Sequence, residues 1–268
     1  MENNVVLVTG ASSGIGKACA EKLAKEEGFA VYGASRSYED LDNNPHFIRI
    51  DVTEEESLRK GVEYIIEREG KIDSLINAAG FGISGAIEDT PFDQIYSQLE
   101  TNFFGTVRTI KEILPFMRAK EKGTIINISS IGGIVGLPFQ AFYSASKFAI
   151  EGFSEAMRME VEPFHINVVV IEPGDFRTGF TSKRVKCTDV NSPYAKRFAD
   201  CIAVMEKDEL NGEDPELIAD LVLGILKSPS PSKPKYIVGP FGEKLFVFAK
   251  RYLPYGISNY IFKKYYRL

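Results

Sequence analysis

The sequence contains few of the residues that build metal centres and disulfide frameworks. Among its 268 residues are no tryptophan, two histidines and three cysteines, Cys19, Cys187 and Cys201. An odd number of widely spaced cysteines argues against a disulfide scaffold, and with only His46 and His165 to join them no metal site is predicted. The expectation that follows is a reduced, cytoplasmic compartment.

Long apolar runs and an excess of positive charge are also missing. No stretch approaches the roughly 18 apolar residues that a membrane-spanning helix needs, so no such helix is expected. The short apolar run near the amino terminus follows no basic segment, which favours a first strand over a signal peptide. The net charge of −5 argues against nucleic acid as the main partner.

What the sequence does have is a regular alternation of short apolar runs with amphipathic stretches. This alternation predicts one large α/β domain, a Rossmann fold whose doubly wound, seven-stranded parallel sheet carries helices on both faces. The predicted strands are Val5–Thr9, Ala30–Ala34, His46–Arg49, Ser74–Asn77, Gly123–Ile128, Asn167–Ile171 and Lys235–Val238. The predicted helices are Lys17–Glu26, Glu54–Glu69, Phe92–Arg118, Phe142–Glu162 and Pro215–Lys227.

A glycine-rich turn follows the first predicted strand. Residues 9–16 read Thr-Gly-Ala-Ser-Ser-Gly-Ile-Gly, directly after four branched aliphatic residues. Gly10 allows a sharp turn, Gly14 lets the backbone approach a pyrophosphate, and Gly16 lets the next helix pack closely against the strand. Because that helix would present free N–H groups to the same point, the segment predicts a dinucleotide phosphate site. The spacing matches the general dinucleotide fingerprint only in outline, and a tight connection without a ligand would use the same glycines.

Four further motifs occur in order along the chain. Asn77-Ala78-Ala79-Gly80 ends the fourth predicted strand, and Ser130 follows the fifth. Tyr143 and Lys147 stand at the start of the next helix, and Pro173-Gly174 ends the sixth strand. Each motif is weak by itself, whereas the ordered combination is specific.

This combination resembles the short-chain dehydrogenase/reductase family in its single-domain form, over roughly residues 5–238. The resemblance implies an NADP(H)-dependent or NAD(H)-dependent oxidoreductase that interconverts a carbonyl and an alcohol by hydride transfer. One departure is Ala78, where the family more often has a second asparagine. The resemblance also implies a catalytic set, which comprises Asn102, Ser130, Tyr143 and Lys147.

Tyr143 and Lys147 have residue types and a spacing that suit proton transfer. Lys147 lies one helical turn after Tyr143 on the same face, so its charge is expected to lower the pKa of the phenol from about 10 towards the working range. Ser130 would hydrogen-bond the substrate oxygen and stabilise charge that develops there. The same Tyr-x-x-x-Lys pattern recurs at Tyr260–Lys264 without a serine thirteen residues earlier, and there it predicts only an amphipathic surface helix.

Two polar residues near this set have alternative explanations. The resemblance gives Asn102 the role of holding a water that connects Lys147 with bulk solvent. A buried asparagine that satisfies a helix distortion would occupy the same position. Ser129 is the neighbour of Ser130, and the thirteen-residue spacing to Tyr143 favours Ser130 as the functional serine.

Cofactor choice depends on the end of the second predicted strand. NAD-selective folds place an acidic residue there to hold the ribose 2′-hydroxyl, but here the position is Ala34 and Arg36 follows. An arginine suits a 2′-phosphate and therefore favours NADP(H), although a solvated loop arginine would look the same. Asp40 and Asp42 are weaker candidates for an NAD-type acid. Including residues that only the resemblance implies, the candidate cofactor set is Gly10, Ser12, Ser13, Gly14, Ile15, Gly16, Arg36, Asp51, Val52, Asn77, Ala78, Gly80, Tyr143, Lys147, Pro173, Gly174 and Thr178.

Residues 175–212 correspond to the mobile, substrate-covering segment that the family has after Pro173-Gly174. This segment contains several aromatic and aliphatic residues and predicts a hydrophobic substrate, similar to a steroid, a retinoid or a long-chain 3-keto lipid. Its basic residues Lys183, Arg184 and Lys186 could instead face solvent. The same apolar residues would also serve a lid that packs only on its own domain.

The last 29 residues, 240–268, differ from the rest of the chain in composition. They carry six lysines or arginines against one glutamate, so a total charge of −5 leaves the remainder near −10. Nine of the 29 are aromatic. Such a segment suits a membrane-surface helix, or a tail that packs over the substrate cleft or a subunit interface with its aromatic residues largely buried. The packed tail is the arrangement expected.

The resulting prediction is a catalytic domain over residues 1–239 and a basic, aromatic extension over 240–268. A homodimer or homotetramer is expected through the predicted helices Phe92–Arg118 and Phe142–Glu162, which resemble those through which the family associates. Two rival functions are a non-catalytic dinucleotide-binding or scaffold protein on the same fold, and a sugar-nucleotide epimerase or dehydratase. The complete catalytic set argues against the first, and the glycine spacing and the chain length argue against the second.

Overall fold

A parallel sheet with the strand order β3-β2-β1-β4-β6-β7-β9 forms the centre of the computed structural model, which describes residues 3–36, 47–228, 232–250 and 252–268. The predicted seven-stranded, doubly wound α/β fold is confirmed. The strands of this sheet are β1 (Asn4–Thr9), β2 (Phe29–Ser35), β3 (Phe47–Arg49), β4 (Ser74–Asn77), β6 (Gly123–Ile128), β7 (Ile166–Pro173) and β9 (Lys235–Val238). His46, the predicted start of β3, lies outside the described residues.

Helices cover both faces of the sheet, as the alternation of apolar runs predicts. The helices of the main domain are α1 (Gly14–Ala24), α2 (Glu55–Glu69), α3 (Phe92–Leu99), α4 (Gly105–Ala119), α5 (Ala141–Val161) and α7 (Glu216–Lys227). On β1, Val5 and Leu7 face the layer of α2, α4 and α5, whereas Val6 and Val8 face the layer of α1 and α7. Because successive strand residues point to opposite faces, four consecutive apolar residues bury both sides of the sheet.

The predicted helix Phe92–Arg118 is interrupted. A π-helical turn at Glu100–Phe104 separates α3 from α4, so the axis continues with a local bulge. Asn102 lies in this turn with its side chain amide bonded to both backbone polar groups of Phe81 at 3.0 Å. The prediction of one regular helix is therefore wrong at this point, and the side chain of Asn102 bonds the backbone of Phe81, which lies outside the helix.

Several elements were not predicted as regular structure. Two short strands, β5 (Ile83–Ser84) and β8 (Val185–Lys186), pair in parallel outside the main sheet. The segment 175–212 contains α6 (Ala195–Leu210), and the extension forms α8 (Phe241–Lys250) and α9 (Tyr255–Tyr265). In the part of the chain that the structure describes, no helix is both long and apolar enough to cross a bilayer.

The segment 175–212 begins and ends at one place. The Glu213 N–H donates to the Asp175 carbonyl at 3.0 Å, and the Arg177 N–H donates to the Glu213 carbonyl at 2.9 Å. A Cβ on Gly212 would lie 2.4 Å from the Asp175 carbonyl oxygen, so only glycine allows this approach. The two ends are thus joined by backbone contacts, and the residues between them form a separate lobe over the sheet.

Candidate active site

A cleft of about 940 Å³ opens at the carboxyl ends of the central strands. The glycine-rich turn forms one end, the lobe 175–212 covers it, and α8 and α9 form a further wall. This edge of a parallel sheet is where ligands bind in open α/β folds. Most of the predicted site residues line this cleft: Gly10, Ser12, Ser13, Gly14, Ile15, Gly16, Arg36, Asp51, Val52, Ala78, Gly80, Ser130, Tyr143, Lys147, Pro173, Gly174 and Thr178.

The glycine-rich turn has the shape that a pyrophosphate requires. Gly10 has a φ of +69°, and a Cβ there would lie 2.7 Å from backbone atoms of Ala78 and Ala79. A Cβ on Gly16 would lie 2.5 Å from the Gly10 carbonyl oxygen. Helix α1 begins directly after Ser13, whose side chain makes no capping hydrogen bond to the helix. The first N–H groups of α1 and its positive dipole end are therefore available to an anion, and these residues fit a dinucleotide phosphate.

A second cation, Lys183, reaches the same turn from the lobe. Its ammonium group donates to the Ser13 hydroxyl at 3.2 Å, across 170 residues of sequence. No local pattern distinguishes Lys183 from the neighbouring basic residues that could face solvent. Its position adds positive charge beside the amino terminus of α1, which favours a phosphate-bearing ligand there.

The nucleoside end of the cleft lies beyond β2. Arg36 is exposed at the end of this strand and lines the cleft together with Asp51 and Val52. Asp51 accepts hydrogen bonds from the backbone N–H and hydroxyl of Thr53, at 2.9 and 2.7 Å. Asp40 and Asp42, the weaker candidates for an acidic ribose ligand, lie outside the described residues.

Ser130, Tyr143 and Lys147 come together on the floor of the cleft. The Ser130 hydroxyl accepts the N–H of Gly132 at 3.0 Å and is also hydrogen-bonded to the phenol of Tyr143. Lys147 donates to the Ile128 carbonyl at 2.9 Å, and its nitrogen lies 5.9 Å from the centre of the Tyr143 ring. The serine after β6 and the first turns of α5 therefore place a hydroxyl, a phenol and an ammonium around one small region.

The pKa of Tyr143 differs from the sequence-based expectation. Burial raises the pKa of the phenol to about 12, and the hydrogen bond from Ser130 offsets this only in part. Burial also lowers the pKa of Lys147 to about 8, which the charge of Glu151 partly opposes. The expected lowering of the Tyr143 pKa below its usual value of about 10 is therefore wrong for this structure, because desolvation of the buried phenol dominates. Tyr143 is a protonated acid at neutral pH.

Two predicted residues do not line the cleft. Asn77 is buried in β4, where its amide donates to Asn127 at 2.9 Å, and Asn127 donates to Ser154 at 2.9 Å. Asn102 bonds the backbone of Phe81 and the Ser146 hydroxyl. Both side chains therefore stabilise the neighbouring backbone and helices. Because Asn77 does not line the cleft, its side chain is not placed to contact a cofactor there.

The lobe contributes the aromatic cover that its composition predicts, together with a buried ion pair that sequence reasoning missed. Phe180 contacts the Tyr143 ring edge-on, with 5.6 Å between ring centres. The Arg184 guanidinium lies 5.5 Å from the centre of the Phe180 ring and forms an ion pair with Glu209. Glu209 also accepts the Thr181 hydroxyl at 2.6 Å. Arg184 is thus buried, and the possibility that it faces solvent is wrong.

The extension packs against the lobe with one side only. Phe246 and Phe262 stack with ring centres 5.1 Å apart, and Tyr266 packs on the α6 cluster that contains Phe198. Six of the nine aromatic side chains of the extension are nevertheless exposed. The inner side chains of the extension pack on the lobe, as expected for a packed tail. The expectation that the aromatic residues of the extension would be largely buried is wrong.

Hydrogen bonds connect the extension to the lobe at two places. Glu243 of α8 accepts the backbone N–H of Asp175 at 3.0 Å, and the two carboxyl groups also share a hydrogen bond. The Tyr265 hydroxyl donates to Asp208 at 2.7 Å. Burial, together with the charge of Glu243, raises the pKa of Asp175 to about 9, and burial also raises that of Glu243. One proton is therefore held between these two carboxyl groups at neutral pH.

We expect this carboxyl pair to make stability depend on pH. The folded chain keeps a proton on Asp175 that the unfolded chain releases above about pH 4, so the free energy of unfolding falls as pH rises from about 4 to about 9. Glu243→Gln keeps an acceptor for the Asp175 N–H and removes one charge. Its melting temperature should fall less between pH 6 and pH 8.5 than that of the unsubstituted protein. Equal slopes in the two proteins would contradict this assignment, and Glu155→Gln, which removes an exposed carboxylate on α5, is a suitable control.

Comparison with known proteins adds independent findings. The sequence model of the family described as short chain dehydrogenase matches residues 4–188. A 3-ketodihydrosphingosine reductase of Bacteroides thetaiotaomicron is 44% identical over 270 residues, which cover 100% of both chains. The crystal structure of a short-chain dehydrogenase from Streptomyces avermitilis has 31% identity and a TM-score of 0.82, covering 94% of this chain and 93% of that one. The structure of ElxO with NADP bound has 26% identity and a TM-score of 0.71, covering 89% and 96%.

Proposed function

Because the chain belongs to the short-chain dehydrogenase family and is an oxidoreductase, we propose that it reduces the keto group of a long-chain lipid with NADPH. The observation that carries this proposal is the arrangement of Ser130, Tyr143 and Lys147 at the floor of a cleft with largely apolar outer walls. A non-catalytic dinucleotide-binding protein would have no need for the phenol–serine contact.

Each side chain at the floor of the cleft has a different role in the proposed reaction. A bound NADPH supplies the hydride, and Tyr143, neutral at pH 7 because burial raises its pKa, donates the proton to the carbonyl oxygen. Ser130 donates a hydrogen bond to the same oxygen and stabilises the charge that develops on it. Lys147, held by the Ile128 carbonyl, keeps a cation beside the phenol and favours its deprotonated form after transfer.

The preference for NADP(H) is supported by the end of β2. Ala34 leaves no carboxylate at the position of an NAD-type acid, and Arg36 lines the cleft just beyond it. Lys183 adds a second cation near Ser13. A relative of the same fold has NADP bound in its solved structure. The candidate catalytic and cofactor roles given above, including that of Asn102 in proton supply, are part of this proposal, except the cofactor contact of Asn77.

The substrate class is supported by the walls of the cleft and by one relative. Phe246, Val247 and Ile261 of the extension line the same cleft as Tyr143, so an apolar chain can extend from the reacting carbonyl along α8 and α9. The relative of 44% identity is a reductase of 3-ketodihydrosphingosine, a long-chain ketone with an amino group beside the carbonyl. A protonated amine would complement the carboxyl groups of Asp175 and Glu243, which also line the cleft.

A panel of four ketones tests the substrate class. We expect the highest kcat/KM with 3-ketodihydrosphingosine and a loss of about tenfold or more with its N-acetyl derivative, because acetylation removes the charge that the carboxyl pair would bind. A steroid ketone and a short polar ketone should be poorer still. The measurement is the consumption of NADPH at fixed enzyme concentration. Turnover confined to the short polar ketone, or an N-acetyl derivative as good as the free amine, would contradict the proposal.

Three further properties belong to the same proposal. The catalytic unit comprises residues 1–239, including the lobe 175–212, and 240–268 is an extension that completes the cleft. The protein is a cytoplasmic homodimer or homotetramer. Exposed apolar side chains on α3, on the π-helical turn after it and on α5 support association through these helices: Phe92, Tyr96, Phe104, Phe148 and Met159. Three free cysteines are compatible with a reducing compartment.

A further inference from the structure

The extension has two faces of different character. Its inner face comprises Phe246, Val247 and Phe262, which line the cleft. Its outer face carries large apolar and aromatic side chains in unusual density. The outer side chains, each more than two fifths exposed, are Phe241, Leu245, Phe248, Tyr252, Tyr255, Ile257, Tyr260 and Ile261. Contiguous exposure of this kind marks an interaction surface.

The charges on this outer face are all of one sign. Lys244, Lys263, Lys264 and Arg267 are exposed, and no ion pair involves them within the described ranges. The single acid of the extension, Glu243, is turned inward against Gly174 and the Asp175 N–H. The rest of the chain has a net charge near −10. The outer face is therefore a separate cationic region of an otherwise acidic protein.

The outer face meets the cleft at a shared rim. Ile261 and Tyr265 are 41% and 53% exposed, and both also line the cleft. Ile261 and Tyr265 are thus shared between the exposed side of the extension and the cleft that contains Tyr143. The same two helices form the docking face and the cleft wall.

We propose that the outer face of α8 and α9 docks on an anionic lipid bilayer, and that the substrate enters the cleft from this bilayer past Ile261 and Tyr265. Aromatic side chains interspersed with lysines on a short amphipathic helix are the composition of an interfacial segment. The cations match the negative surface of such a bilayer. The part of the proposal that concerns substrate entry rests on the proposed function, whereas the docking itself does not.

A second copy of the chain is the alternative occupant. The acidic remainder of another copy would attract the lysines of this face. However, lysine is depleted from the buried centres of protein–protein interfaces, whereas Lys263 and Lys264 are adjacent to the exposed aromatic residues Tyr260 and Tyr265. On a bilayer these ammonium groups remain at the headgroups while the rings insert. The observed interleaving of the two residue types therefore favours the bilayer.

Vesicle co-sedimentation of the full chain tests the docking. Vesicles of phosphatidylcholine with about one third phosphatidylglycerol should bind the protein at least tenfold more tightly than vesicles of phosphatidylcholine alone. Raising the salt concentration from 0.1 to 0.5 M should weaken that binding at least tenfold. Binding to the anionic vesicles should also fall tenfold or more in two variants. One is the triple variant Phe248→Ser, Tyr252→Ser and Tyr255→Ser, and the other is the double variant Lys263→Gln and Lys264→Gln. Matched controls are Ile87→Ser, an equally exposed apolar residue far along the chain, and Lys17→Gln with Lys25→Gln on α1, which should leave binding unchanged.

A parallel activity measurement separates docking from the reaction. Reduction of a water-soluble ketone should be unchanged in the outer-face variants, whereas reduction of a long-chain 3-ketone presented in anionic vesicles should fall tenfold. Absence of vesicle binding by the unsubstituted protein overturns the docking, even if ketones are reduced. Binding to vesicles without reduction of any ketone supports the docking and refutes the proposed function instead. A change of oligomeric state in the outer-face variants, with no vesicle binding by the unsubstituted protein, identifies a second copy as the occupant and overturns the proposal.

Discussion

Replacing Tyr143 by phenylalanine should lower turnover of the best ketone by about two to four orders of magnitude, the usual contribution of a general acid. The substitution removes one hydroxyl from a buried ring and leaves its contact with Phe180 in place. Cofactor affinity should therefore change by less than about threefold. Single-turnover kinetics with excess enzyme would measure the chemical step, and fluorescence titration with NADPH would measure binding.

Tyr260→Phe provides the matched control for this experiment. Tyr260 belongs to the second Tyr-x-x-x-Lys pattern of the chain, but it is exposed on α9, and no hydrogen bond joins it to a serine among the described residues. With a water-soluble ketone this variant should retain full activity. A Tyr143→Phe enzyme that kept most of its activity would show that another group supplies the proton.

Arg36→Ala should reduce the preference for NADPH over NADH by about ten- to a hundredfold, the contribution of a charged hydrogen bond. Arg36 lines the cleft beyond β2, so its guanidinium can pair with a 2′-phosphate in a way that no uncharged residue can replace. The affinity for NADH, which lacks that phosphate, should change little. Titration of both reduced cofactors by fluorescence measures the two constants directly.

Arg49→Ala is the control, because Arg49 is also exposed and pairs with Ser35 in register at the end of the neighbouring strand. It does not line the cleft. If Arg49→Ala and Arg36→Ala had equal effects, general positive charge and not a specific contact would set the preference. Equal affinities of the unsubstituted protein for NADPH and NADH would remove the basis of the assignment.

The parts of the structure that were predictable depend on local sequence patterns. Four consecutive aliphatic residues in Val5–Val8 predict a strand buried on both faces, and the glycines after them predict the turn, because each pattern has few physical solutions. Ser130, Tyr143 and Lys147 were predictable as a set because the ordered motifs resemble those of one family, and the thirteen-residue spacing favours Ser130 over Ser129.

The parts that were not predictable depend on contacts between distant segments. Arg184 becomes buried because Glu209 and Phe180 surround it, and Glu243 turns inward because the Asp175 N–H is there to meet it. No local pattern encodes such partners. The pKa of Tyr143 was misjudged for a related reason, since the charge of Lys147 is visible in the sequence whereas the depth of burial is not.

The junction at which the lobe 175–212 begins and ends has a consequence for how this enzyme can diversify. Backbone hydrogen bonds between Asp175, Arg177 and Glu213 close the lobe onto itself, so its interior can lengthen, shorten or change sequence without moving β7 or α7. Loop closure becomes only slightly more costly with each added residue, so such changes are tolerated energetically. The residues that carry out the reaction at Tyr143 and the residues that select the substrate therefore lie in different parts of the sequence. Related enzymes can therefore differ in substrate through changes in this lobe and in the extension, which both line the cleft, while the residues that carry out the reaction stay the same.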